Sequence, residues 1–303
     1  MLNLHKILLP VLLDDEFTAT SRQVVLEAAW LARRFDAEVV LLHVVPPFSY
    51  PAGIFESGHE ITARDLHSHV VQHAEQSLDR ALRSELQGIS VTRVLLRGDP
   101  AREIVATARN HNADLIMLCT HGYAAAYRYL LGSATAKVLH ESPCAVWTVA
   151  YPHDNTGASG APASPAEFSI QHVLCSVDLS AHSRDTVTQA AAFAAAAGAS
   201  LTLAHITPGT TRFGPGGSYV DLELNKVLAD FAAKEIASLQ KELGTTAAVV
   251  IESGTVAQHL DSIIRETQAD VLVLGHNPGR GHLGDNGEGY EIIRTSPVPV
   301  LSV

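Results

Sequence analysis

The chain uses one pattern twice. Ala37-Glu38-Val39-Val40-Leu41-Leu42-His43-Val44 is answered by Ala199-Ser200-Leu201-Thr202-Leu203-Ala204-His205-Ile206, and Gly98-Asp99-Pro100-Ala101 by Gly254-Thr255-Val256-Ala257. Each half then passes through Ala113-Asp114-Leu115 or Ala269-Asp270-Val271 and finishes on Ser-Pro with a β-rich segment, Cys144–Val149 or Val298–Val303. Self-similarity of this kind means one supersecondary plan built twice, so any fold proposed for one half must suit the other. Between them, residues 151–168 are rich in Gly, Ala, Pro, Ser and Asn without periodicity, which reads as a linker. The expected division is therefore a domain over 1–150, a linker over 151–168 and a domain over 169–303.

Within each half the order reads strand, helix, strand, long helix, strand, helix, strand, loop, helix, strand. Runs such as Glu38–Val45 and Asp270–Leu274 are apolar on both faces, the signature of a parallel sheet covered by helices on both sides. Alternating strands and helices with right-handed crossovers give a doubly wound α/β domain. Ser21–Phe35 and Ser183–Ala197 are alanine-rich helices, suited to close packing on a sheet. The closing segments Cys144–Val149 and Val298–Val303 are expected at sheet edges, which need covering. Pairing about a pseudo-two-fold, within the chain or between chains, would do so, giving a pseudo-dimer of domains or a homodimer.

Composition removes several function classes. At 303 residues there is enough chain for two ordinary cores, and 47% hydrophobic with 17% charged residues is a globular balance. A net charge of −11 without a basic cluster argues against nucleic acid as a partner. No run is long enough to span a membrane; Ile7–Leu13 is interrupted by Pro10 and stopped by Asp14-Asp15, so it reads as a strand and not a signal peptide. Cys119, Cys144 and Cys175 form no CxxC pair and read as buried reduced thiols of a cytoplasmic protein.

The chemistry-bearing segment of the first half follows the apolar run Asp114–Leu118. It is Cys119-Thr120-His121-Gly122, then nine residues, then Gly132-Ser133-Ala134. Glycine at a strand tip and a Gly-Ser pair opening a helix suit phosphate, because backbone amides approach closely and the helix terminus adds donors and a favourable dipole. At this point the chain resembles the universal stress protein family, over nearly its whole length and as a tandem pair. The resemblance implies a five-stranded parallel sheet of order 3-2-1-4-5 in each half, of the adenine nucleotide alpha hydrolase type. It also implies an adenine nucleotide ligand, ATP or another, with or without magnesium.

In the family's ATP-binding members a G-x2-G-x9-G-(S/T) motif follows the fourth strand, an aspartate ends the first, and a residue after Leu-His of the second faces adenine. The resemblance places the motif on Leu118, Cys119, His121, Gly122, Gly132, Ser133 and Ala134, and the adenine-facing position on Val44. Cys119 replaces the first glycine and Leu12 replaces the aspartate; Asp14, Asp15 or Glu16 could substitute for the lost carboxylate. In the second half Asp178 preserves the aspartate, Ile206 the adenine-facing position and Gly275 the first glycine. Beyond Gly275, Pro278 stands where the second glycine belongs, and Asn286-Gly287 between Asp285 and Glu288 replaces Gly-Ser. Two acids there repel phosphate, so this pocket reads as degenerate for ATP.

Other motifs have blander readings. Asp178 also suits a helix cap, for a helix over Ser180–Ala197. Gly279-Arg280-Gly281-His282-Leu283-Gly284 matches GxGxxG but lacks the strand that should follow, and Gly214-Pro215-Gly216-Gly217 reads as a loop before a helix. Asp65, His69 and His73 fall on one helix face and are candidate metal ligands, against a plain solvated face. His276, His282, Asp285 and Glu288 form a looser group; His43 and His205, inside apolar strands, read as hydrogen-bonded core residues. No catalytic constellation is present: there is no GK[ST] lysine, no Ser-Gly-Gly-x-Asp-Ser loop and no nucleophile elbow. The expected activity is regulatory nucleotide binding in the first half, with at most slow ATP hydrolysis. The alternative is a scaffold or interaction protein with vestigial pockets.

Overall fold

The computed structural model describes residues 4–13, 19–47, 63–120, 131–149, 168–209, 211–214, 217–275 and 288–303. The N-terminal half runs β1 (Lys6–Pro10), α1 (Ala19–Phe35), β2 (Glu38–Val45), α2 (Ala63–Arg80), β3 (Val91–Arg97), α3 (Pro100–His111), β4 (Leu115–Cys119), α4 (Ser133–Glu141) and β5 (Ala145–Val149). The C-terminal half runs β6 (His172–Ser176), α5 (Ser183–Ala197), β7 (Ser200–Thr207), β8 (Thr211–Gly214), β9 (Gly217–Val220), α6 (Leu222–Leu243), β10 (Ala248–Ser253), α7 (Val256–Thr267), β11 (Val271–Leu274), α8 (Glu288–Thr295) and β12 (Val300–Ser302).

The strands of the two halves do not form a separate sheet each. Ten of the twelve form one sheet of order β10-β7-β6-β11-β12-β5-β4-β1-β2-β3, and β8 and β9 pair with each other. Each half contributes five parallel strands in the order 3-2-1-4-5, and the halves meet where β5 and β12 pair antiparallel. The closing segments, expected as domain-sheet edges paired within the chain or between chains, pair within it and so lie at the centre of the sheet, whose edges are β3 and β10. The reason is the register: Trp147 sits opposite Leu301, flanked by Thr148–Val300 and Val146–Ser302. Trp147 and Leu301 occupy corresponding places after Ser142-Pro143 and Ser296-Pro297, so a pseudo-two-fold axis passes between them.

Gly214–Gly217 departs from its expected loop as well. β8 and β9 pair antiparallel with Gly214 opposite Gly217, a hairpin inserted before α6 that has no counterpart in the first half. The Gly-Pro-Gly-Gly run supplies the backbone freedom that so short a connection needs. α5 spans Ser183–Ala197, the bounds expected for the alanine-rich helix; the longer span from Ser180 weighed for the Asp178 cap is not adopted.

Two layers of core cover the sheet, one on each face. One gathers α1, α2, α5 and α6 over Leu9, Leu41, Met117, Trp147 and Leu203; the other gathers α3, α4, α7 and α8 over Leu8, Leu42, Ile116 and Val146. The alternation along each strand sends successive side chains to opposite layers, which is why both faces had to be apolar. The repeated glycines have a local cause. Gly98 and Gly254 adopt φ of +148° and +152°, and a Cβ there would meet Glu103 or His259 at 2.6 or 2.2 Å.

At the seam Trp147 is fully buried, and its indole N–H must find an acceptor. Glu27 of α1 supplies it at 2.7 Å, and Gln23 donates to the other Glu27 oxygen at 2.8 Å. Phe193 of α5 lies 6.0 Å from the Trp147 ring and stacks on Phe35 at 5.9 Å, so α1 and α5 lock over the junction. Glu27 is itself fully buried among these neutral donors, and burial pushes its carboxyl from 4.5 up to about 7. Between those two values the folded protein keeps a proton that the unfolded chain releases. The group therefore makes folding less favourable as pH rises through that window, by on the order of 3 kcal/mol above it. Glu27→Gln should abolish this slope. Chemical denaturation should find the variant similar to wild type near pH 4.5 and more stable at pH 8; identical curves at both values would remove the assignment.

Candidate functional site

In an open α/β sheet the ligand crevice lies beyond the carboxyl ends of the strands, where the winding reverses. In the first half that point falls between β1 and β4. The described part of its rim is Val11–Leu13 after β1, His43–Val45 at the end of β2, Leu118–Thr120 at the end of β4, and Leu131–Thr135 opening α4.

Each piece is tied down by hydrogen bonds. Val11 N–H donates to Leu42 O at 2.8 Å, and His43 Nδ1–H donates to Val11 O at 2.8 Å, fixing the exit of β1. His43 is thus the hydrogen-bonded core histidine expected, and His205 repeats it with Nδ1 2.6 Å from Val177 O. The two histidines also set the alignment of the halves: each bonds the carbonyl immediately before Leu12 or Asp178. Leu12, half-buried, is therefore the positional counterpart of Asp178.

The end of β4 is bound to α4. Thr120 N–H donates to Val149 O at 2.9 Å, Gly132 N–H to Thr120 O at 2.9 Å, and Thr135 Oγ1 to Cys119 O at 3.0 Å. Gly132 is the N-cap residue, at φ −57° and ψ 137°, with no side-chain cap. The result is a helix that starts directly off the strand tip. The amides of its first turn, Ser133, Ala134 and Thr135, have no intrahelical acceptor. Two expectations are refined here. The Gly132 amide, expected to face a ligand, is spent on Thr120. Thr135, which anchors the helix start, did not stand out in the sequence because it lies just outside the Gly-Ser pair. Lys137 was missed also; it reaches Asp99 Oδ1 at 3.3 Å, beside the Arg102 amide that Asp99 caps at 2.9 Å. That amide bond and then Lys137 hold the Asp99 carboxyl below its usual range against a smaller desolvation cost.

Leu118 is buried, Val44 and Cys119 are half-buried, and all three pack on the core. Ser133 is exposed at the mouth and Ala134 half-buried behind it. His121, Gly122 and the rest of 121–130 lie outside the described residues, as do Asp14, Asp15 and Glu16.

In the second half, Asp178 Oδ1 accepts from Ser180 N–H at 3.0 Å and Ser183 Oγ–H at 2.7 Å. It braces the turn into α5 without being its cap, since the N-cap residue is His182 and no side chain caps it. Burial raises its pKa, but these hydrogen bonds outweigh burial and hold the carboxyl below its usual value. Ile206 is buried. Gly275 is exposed after β11, and a Cβ there would come within 2.7 Å of Thr186 Oγ1. The first half fills the same place with Cys119. Residues 276–287, including His276, His282, Asp285 and the GxGxxG match, lie outside the described residues.

Of the metal candidates, His69 and His73 are exposed on α2, and the Asp65 side chain lies outside the described residues. Among the described residues no group of three metal-ligating side chains converges, and no helix is long and apolar enough to cross a membrane. None of the three cysteines is in a disulfide; burial pushes Cys144 up to about 11 and Cys175 to about 12.

Removing the Thr135 hydroxyl tests the anchoring. Thr135→Val should destabilise the fold by about 1 kcal/mol and loosen the start of α4. Hydrogen exchange at residues 133–137 reads the second effect; unchanged protection there would show that Thr135 does not hold the helix.

The comparisons with known proteins agree with this layout. The family model "Universal stress protein family" matches residues 3–150 and again 169–303. A universal stress protein of Methanocaldococcus jannaschii is 28% identical over 151 residues, half of this chain and 85% of its own. One of Methanothermobacter thermautotrophicus is 34% identical over 118 residues, 38% of this chain and 77% of its own. The solved structure of a universal stress protein from Archaeoglobus fulgidus covers 98% of this chain and 95% of its own at TM-score 0.61 and 23% identity, a likeness of fold. A strand plan used twice, the motif after the fourth strand of the first half and two family matches lead to one conclusion: the chain belongs to the universal stress protein family, with two such units in tandem.

Proposed function

We propose that the N-terminal half binds an adenine nucleotide, ATP or AMP, as a regulatory ligand in a cytoplasmic stress response. The C-terminal half then serves chiefly to complete the sheet. One observation supports this above the others: α4 starts at the β1/β4 switch point on Gly132, which has no side chain to cap it, its origin pinned to the strand tip by Thr120 and Thr135. First-turn amides held in place at such a point suit a phosphate tail. Val44 and Leu118 offer backbone and apolar edge for a base beside it. Magnesium would share the phosphate charge, and this chain's part is to present amides and the Ser133 hydroxyl.

The nucleotide is read as a ligand and not a substrate. No lysine of the GK[ST] kind stands in the motif, and Lys137 is engaged with Asp99. Any hydrolysis should be slow.

A second reading, a scaffold without a working pocket, is favoured by Leu12. Where the second half has a carboxylate able to accept from a ribose hydroxyl, the first has a hydrocarbon.

Calorimetry with ATP separates the two. Gly132 has an ordinary negative φ, so Gly132→Glu should fold normally and set a carboxylate at the mouth. At about 4 Å and an effective dielectric of about 20, each charge pair costs about 4 kcal/mol, which should remove measurable binding. Wild-type heat that disappears in this variant supports the ligand reading. A wild-type titration without heat leaves the scaffold.

A further inference from the structure

The pseudo-symmetric frame presents the same outer helix face twice, and the two faces differ in chemistry. His69 and His73 stand five and one residue before buried Ala74 on α2; Val227 and Phe231 stand five and one before buried Ala232 on α6. The two α2 positions are polar and exposed. The α6 face carries Leu224, Val227 and Phe231 at 44%, 62% and 58% exposure, on the three- and four-residue spacing of a single stripe. At the places of Val227 and Phe231 the frame itself does not demand an apolar surface, because its twin carries histidines there.

Beside the stripe, one residue earlier at each step, runs a second exposed row: Glu223, Lys226, Asp230, Lys234. Its signs alternate, minus, plus, minus, plus. Read in reverse they are plus, minus, plus, minus, so the row complements itself only when laid antiparallel. A two-fold axis between antiparallel helices brings the same flank of each together. Placing Glu223 opposite Lys234 and Lys226 opposite Asp230 fixes the register. In that register Phe231 falls between Leu224 and Val227 of the other helix, so the charge row and the apolar stripe select the same alignment. A parallel two-fold would instead turn this row toward the opposite flank of the other helix, where it would not meet its own complement.

We infer that α6 is a self-association surface whose occupant is a second copy of this chain, docked antiparallel through Leu224, Val227 and Phe231. The surface is distinct from the β5–β12 seam, which is already filled within the chain, and does not rest on nucleotide binding. On its other flank Glu235 would face Asp221 of the second copy, an unfavourable pair that the apolar contact must outweigh.

Sedimentation equilibrium of the full chain over a hundredfold concentration range tests this. Wild type should pass from one-chain to two-chain mass. Phe231→Asp, at an exposed position, should stay at one-chain mass with an unchanged circular dichroism spectrum. Lys234→Glu should weaken association by about tenfold, the exchange Glu223→Lys with Lys234→Glu should restore it, and Glu235→Lys should tighten it. A wild type that remains a single chain at 100 µM overturns the proposal. So does a Phe231→Asp variant that still dimerises, or an exchanged pair no better than Lys234→Glu alone.

Discussion

The antiparallel pairing of β5 with β12 is the contact on which the rest of the molecule depends. Each half ends on a strand whose outer edge would otherwise present a row of unsatisfied amides and carbonyls, a standing template for aggregation. Joining the two edges satisfies both rows and creates one continuous core on each face of the sheet. The contact also carries an asymmetry. Where the axis passes, one half places Trp147 and the other Leu301. A tryptophan buried at that spot requires a buried acceptor, and Glu27 supplies it while held largely by neutral donors. The junction is therefore strong in packing but sensitive to the protonation of one carboxyl.

Symmetry of backbone with divergence of side chains accounts for most of what differs between the halves. The same strand-end histidine bonds the same carbonyl in both, yet the next residue is Leu12 in one and Asp178 in the other. The same outer helix bears histidines on α2 and an apolar stripe on α6. Backbone hydrogen bonding fixes the frame, so side chains at the mouth and on the outer face are free to vary without costing the fold. That freedom is how one plan, built twice, carries unlike surfaces.

At the crevice, the sequence pointed to Gly132 and Ser133 because glycine and serine at a helix start have a known use. It could not show that the Gly132 amide is consumed by Thr120, since that bond joins residues well separated in the chain. Nor did it show Thr135 as the anchor, because a threonine inside a short helix looks unremarkable until its hydroxyl is found on the Cys119 carbonyl. Asp178 was legible as a residue of consequence, with capping and ligand contact left open. Ser183 on its carboxylate gives it a local structural task.

The amino-acid sequence alone determined the strand and helix order of the first half and, apart from the β8–β9 hairpin, of the second, with the parallel character of each half, the repeat and its family, because these follow from periodicity and short-range chemistry. The strand order 3-2-1-4-5 also came with the family resemblance, and the structure reproduces it in both halves. What only the tertiary structure decided was that ten strands form a single sheet, that β5 and β12 lie at its centre, that Gly214–Gly217 closes a hairpin, and that Glu27 lies beneath the seam. Those outcomes depend on contacts between residues far apart in the chain, whose free energy exists only once the two halves have met.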